Sequence, residues 1–110
     1  MDSIQNFKLG VSIMKEKLIG HIGVDAGMCW VGDPSYIMKK KDDSEPEVSY
    51  QQILKNFNHP ATYKSFDFKK GHEGAGVVVR SGHGDGRYPV TAKINERGIV
   101  ESVTVTFVTD

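Results

Sequence analysis

The sequence predicts an α+β domain that is mainly β: a small twisted antiparallel sheet, arranged as a sandwich or partial barrel, with one helix covering a face. Three observations predict it. Toward the C-terminus Tyr88, Val90, Ala92 and Ile94, and then Val103, Val105 and Phe107, alternate with polar neighbours in the way of half-buried strands. Twelve glycines punctuate the 110 residues and keep the apolar runs to strand length. One stretch alone carries a clear helical stripe, Tyr50, Ile53, Leu54 and Phe57.

Residues 1–13 carry little pattern before a second methionine, Met14, and read as an N-terminal extension to a single β-rich domain of residues 14–110. From Leu18 to Trp30 the chain is apolar but broken by Gly20, Gly23 and Gly27. That glycine density argues against a helix and for two short strands joined at Asp25-Ala26-Gly27. Gly32-Asp33-Pro34 stops the second strand, because proline has no N–H for a ladder and restricts the residue before it, so a loop is expected at Asp33–Tyr36. Lys39-Lys40-Lys41 followed by Asp42, Asp43, Glu45 and Glu47 reverses charge within a few residues and reads as a solvated linker. Ser44 and Glu47 have capping-box spacing and Pro46 suits a first turn, so the helix is expected over residues 46–57, ending before Asn58-His59-Pro60. Phe66 and Phe68 are then spaced like one face of a strand. Gly76-Val77-Val78-Val79-Arg80 is a β-branched run expected to be buried on both faces. After the glycine-rich loop Ser81–Arg87 the two alternating strands form an antiparallel hairpin through Asn95-Glu96-Arg97-Gly98. Five to seven strands and one helix are expected.

Fourteen Lys and Arg balance fourteen Asp and Glu, which removes the broad positive field of a protein built to hold nucleic acid or an anionic membrane. Any anion site has to be local. No stretch approaches the ~18 apolar residues of a membrane span, and none reads as a secretory leader. Cys29 is the only cysteine, so no intramolecular disulfide is possible and a cytoplasmic location is expected. His21, His59, His72 and His83 lack zinc-site spacing, and no metal or cofactor is required.

Two segments are too specific in residue type to be turns alone. They are Val24-Asp25-Ala26-Gly27-Met28-Cys29-Trp30-Val31-Gly32-Asp33-Pro34-Ser35-Tyr36 and Ser81-Gly82-His83-Gly84-Asp85-Gly86-Arg87-Tyr88-Pro89-Val90. Together they resemble a family of small bacterial and phage proteins of unknown function, marked by patterns like V-D-[SA]-G-x(4)-G-D-P-C-Y and [ST]-G-[YFH]-G-D-G-x-Y-P-V. The resemblance covers Leu18–Tyr36 and Val77–Val108. Ser35 stands where the first pattern has cysteine, which argues against an obligatory cysteine nucleophile. The resemblance implies a phage product working in the cytoplasm of its host, and it supplies the position of a site rather than its chemistry.

Physically, Gly82-His83-Gly84-Asp85-Gly86 suits a nest of backbone N–H groups for phosphate or carboxylate, with Arg80 and Arg87 adding charge. The structural alternative is a bulged strand connection in which Asp85 caps its own turn and Tyr88 packs inward. Asp25, Asp33 and Asp85 would bind a divalent cation only if they converge, and turn formation explains each singly. Among the aromatic residues Tyr36 is the better stacking candidate, while Trp30 and Tyr88 suit a core.

The expected function is therefore non-catalytic binding of a small anionic, nucleotide-type ligand, in one pocket where both motifs meet at a sheet edge. Its ligand-binding residues would be Asp33, Tyr36, Arg80, Gly82, His83, Gly84, Asp85, Gly86, Arg87 and Tyr88. The phage resemblance extends this to sequestering a host immune signalling nucleotide. Two alternatives stand beside it: a small hydrolase or phosphodiesterase using His83 and Asp85, and an interaction module that inhibits a host protein through a sheet edge or apolar patch. Stable nucleic-acid and membrane binding are not expected. A homo-oligomer is, because a domain of this size needs a second copy to enclose a nucleotide. The loop around His72 and Glu73 is a segment able to close over a site.

Overall fold

The computed structural model describes residues 15–42 and 44–108; the extension read over residues 1–13 lies outside them. The elements run β1 Lys15–Val24, β2 Met28–Gly32, a single 3-10 turn Pro34–Tyr36, α1 Tyr50–Asn56, β3 Tyr63–Phe66, β4 Gly76–Arg80, β5 Gly86–Ile94 and β6 Val100–Val105. The structure is α+β and mainly β, as expected, with its strands in two three-stranded antiparallel sheets and one helix. The sheets belong to two compact units, one of residues up to Val24 and from Gly86 onward, the other Asp25–Asp85. None of the described helices is long and apolar enough to cross a membrane.

The first unit has strand order β1-β5-β6. Its hairpin closes as the sequence predicts: Asn95 Oδ1 accepts from Arg97 N at 2.9 Å and Ile99 N at 3.0 Å, and Gly98 N donates to Asn95 O. Tyr88 and Ala92 point inward and are buried, with Phe107 edge-on to Tyr88 at 5.3 Å. Val103, predicted inward by its alternation, is 55% exposed. It sits on an edge strand, so only β5 flanks it.

In the second unit β4 is central, in the order β2-β4-β3. The registers place Met28, Trp30, Val78 and Phe66 on one face. That face packs with Ile53 and Phe57 of α1 and with Val48 and Ala75. The opposite face leaves Val31, Tyr63 and Val77 exposed. The β-branched run of β4 is thus buried on one face and not both. Its composition reflects strand preference as much as burial. Gly32 and Gly76 pair across β2 and β4, and the Trp30 indole lies over both, so a Cβ at Gly76 would overlap the ring.

The helix starts later than its capping-box spacing suggests. Ser49 is the N-cap, its Oγ accepting from Gln52 N at 3.0 Å. Ser44 instead donates its hydroxyl to Asp42 Oδ1. The charge run read as a solvated linker is exposed at Lys39–Asp42, Ser44 and Glu45, after which the chain turns inward: Pro46 is buried and Val48 is sealed in the core with its N–H on Tyr36 O at 2.9 Å. The helical stripe is narrower than predicted: Ile53 and Phe57 are buried, while Tyr50 and Leu54 stay half exposed.

Candidate functional site

β2 and β4 run antiparallel, with Met28 opposite Arg80 and Gly32 opposite Gly76. This register brings only half of the first motif to the second. Ser81 N donates to Gly27 O at 3.1 Å, and the Asp85 carboxylate lies beside the Asp25-Ala26-Gly27 turn. Asp33, Ser35 and Tyr36 fall beyond the other end of β2, whose five residues span about 16 Å. The single pocket expected from both motifs therefore divides.

The glycine-rich loop is built for closure. Ser81 is buried, its Oγ donating to Gly84 O and its carbonyl accepting from Gly84 N, both at 2.6 Å. Gly84 N–H, the natural centre of an anion nest, is thus engaged inside the turn. Arg80 is held as firmly: Nε donates to Ala61 O at 3.0 Å, one NH2 donates to Phe57 O at 3.2 Å, and the guanidinium stacks 4.3 Å from the Phe57 ring centre. These contacts tie β4 to the end of α1 and commit Nε and one NH2 of Arg80, expected among the ligand-binding residues, to backbone carbonyls. Gly82, His83 and Asp85 are exposed, and His83 and Asp85 make no hydrogen bond to each other among the described residues. In the other unit Gly86 and exposed Arg87 open β5. Tyr88, expected as a ligand contact and alternatively as a residue packing inward, is buried there against Phe107.

Asp33 caps the 3-10 turn, accepting from Ser35 N at 2.9 Å and from Ser35 Oγ at 2.8 Å. The two bonds, the backbone one foremost, hold its carboxyl below the usual range. It serves the turn. Among the described residues no three His, Cys, Asp or Glu side chains are grouped to hold a metal ion. The burial of Cys29 raises its thiol pKa, a shift away from thiolate reactivity.

Tyr36 is a predicted site residue that lines a cavity. Together with Ser35, Lys40, Glu47, Phe68, Lys69, Lys70 and His72 it borders an open cleft of about 660 Å³ in the Asp25–Asp85 unit. Its ring meets Phe68 edge to face at 4.9 Å. Phe68 to His72 form a closed turn, with Phe68 N on His72 O and Gly71 N on Phe68 O, both at 2.8 Å. Gly71 makes that turn possible with a φ of 88°, which side-chain-bearing residues rarely adopt. Glu47 fastens it: Oε1 accepts from Lys69 N at 3.0 Å and Oε2 pairs with Lys40 Nζ at 3.2 Å. Donation by the Lys69 N–H, and then by Lys40, holds the Glu47 carboxyl below its ordinary range. Lys69 Nζ donates to Glu45 O, whereas Lys70 makes no hydrogen bond or ion pair within the described chain.

Three lysines against one carboxylate, around an aromatic pair, make a local cationic seat on a chain of zero net charge. Lys40, Phe68, Lys69 and Lys70 were not legible as site residues, although the Lys69-Lys70-Gly71-His72 turn was a signal in view. No protein family model, curated protein or solved structure matches the chain.

Proposed function

We propose that the chain binds a small anionic, nucleotide-type ligand without turning it over, and that the ligand sits in the Tyr36–Lys70 cleft. The observation that carries this reading is the placement of Lys40, Lys69 and Lys70 around the Tyr36–Phe68 pair. A base stacked on an aromatic ring gains about 1–3 kcal/mol, and ammonium groups serve as point charges for phosphate. Ser35, whose hydroxyl lines the cleft, donates it to the Asp33 carboxylate that caps its own turn. The resemblance to phage proteins supports a host signalling nucleotide as the ligand.

A thermal-shift screen with AMP, ADP and GMP, with and without magnesium, tests it. A ligand held only by the folded state at 100 times its dissociation constant adds about 2.7 kcal/mol of stability. A shift that needs no magnesium, returns the nucleotide intact and shrinks by about half in Lys70→Glu is expected. A flat screen overturns the reading.

A second reading, as an interaction module, is favoured by one observation. The outer face of the β2-β4-β3 sheet leaves Val31 and Val77 exposed as a cross-strand pair, with exposed Tyr63 one pair further along beside Val79. A second copy packing there would make a homodimer, which sedimentation of the wild type and of Val31→Lys distinguishes.

A further inference from the structure

The cleft of Tyr36 and Lys70 shares a wall with a second one. Glu47, Phe68 and Lys69 also border an open cleft of about 520 Å³ within the same unit. Both volumes lie within the range of small-molecule sites. Their chemistry differs. The first is aromatic and cationic, whereas the second is lined by the amides of Gln52 and Asn56, the Ser65 hydroxyl, and the balanced charges of Lys64 and Asp67.

Gln52 and Asn56 stand four residues apart on α1 and so lie along one side of the helix. Both are exposed. Asn56 Nδ2 donates to Gln52 O at 2.9 Å, which leaves its Oδ1 as an outward acceptor. Amide side chains offer a donor and an acceptor together, the combination that pairs with the edge of a nucleobase. The ridge between the clefts carries Lys69, with Lys40 held near it through Glu47, so positive charge stands between an aromatic seat and an amide-lined one.

Building on the nucleotide reading of the first cleft, we infer that the ligand is a dinucleotide, two nucleosides joined through phosphate, and not a mononucleotide. One base packs on Tyr36 and Phe68, the phosphates meet the lysines at and beside the ridge, and the second base presents its edge to Gln52 and Asn56. Two linked half-sites bind a linked ligand more tightly than either half alone.

Calorimetric titration of the full chain with AMP and with the 5′-phosphorylated diadenylate pApA tests this. The expected result is that pApA binds at least about tenfold more tightly than AMP. The double variant Gln52→Ala/Asn56→Ala, whose exposed helical positions favour alanine, should fold, bind AMP as the wild type does and lose the advantage for pApA. Equal affinities for AMP and pApA in the wild type, with AMP binding weakened about tenfold by Lys70→Glu, overturn the dinucleotide while leaving the nucleotide cleft standing. A pApA advantage that survives the double variant also overturns it. Binding of neither ligand overturns both.

Discussion

In the Ser81–Asp85 loop, glycines and a flanking arginine are concentrated in a few residues, and the structure uses them internally: Gly84 closes a turn on Ser81 and Arg80 is committed to two backbone carbonyls. In the Tyr36–Lys70 cleft the contributing residues are scattered over three segments, and the structure gathers them around a cavity. Dense local motifs of Gly, Asp and Arg report what the chain needs in order to turn. Ligand seats are assembled from residues distant in sequence, where the sequence carries little local signal. The same contrast separates Arg80, a cation used as a strut, from Lys70, a cation without an internal partner among the described residues.

The largest effect expected from this contrast falls on stability at the loop. Arg80→Ala removes two charge-assisted hydrogen bonds and a ring contact, and should cost about 2–3 kcal/mol in denaturant unfolding, with AMP affinity changed less than about twofold. Lys70→Glu should do the reverse, weakening AMP about tenfold by calorimetry, or ~1.4 kcal/mol, at an unchanged melting temperature. Tyr36→Leu keeps an apolar body but loses the stacking face, and should weaken AMP by ~1 kcal/mol.

A smaller effect concerns pH. Glu47 is held low in the folded chain by Lys69 N–H and Lys40, so its contribution to stability is present above the ordinary glutamate value of about 4.3 and is lost as pH falls through the lowered folded value. Glu47→Gln should therefore show a shallower loss of stability in acid than the wild type, measured by thermal unfolding from neutral to acidic pH. The smallest effects belong to His83→Ala and Asp85→Ala. Both side chains are exposed, and each change should alter stability by less than about 0.5 kcal/mol and leave AMP binding intact.

The parts of the fold that were legible in the sequence are those fixed locally. The Asn95–Gly98 turn and the alternation on either side of it specify a hairpin without outside help. The helix was legible from Ile53 and Phe57, but its start was not, because Glu47 makes its bond to Lys69, 22 residues away, instead of closing a box with Ser44. Tertiary contacts overrode a local pattern. The site was least legible: Tyr36 could be picked out as an exposed aromatic beside a turn, yet its partner Phe68 comes from beyond β3, and only the folded chain brings the two rings to 4.9 Å. The antiparallel register of β2 and β4, which no local pattern reveals, is what parted Asp33 and Tyr36 from the glycine loop.

The measurement that tests this account most directly is a titration of uniformly 15N-labelled protein with AMP, followed by amide chemical shifts. Perturbations clustered at Ser35, Tyr36, Lys40 and Phe68–His72, with Gly82–Arg87 unmoved, are the predicted result. Perturbations confined to Gly82–Arg87, with the Phe68–His72 turn silent, would contradict the assignment of the cleft as the ligand seat.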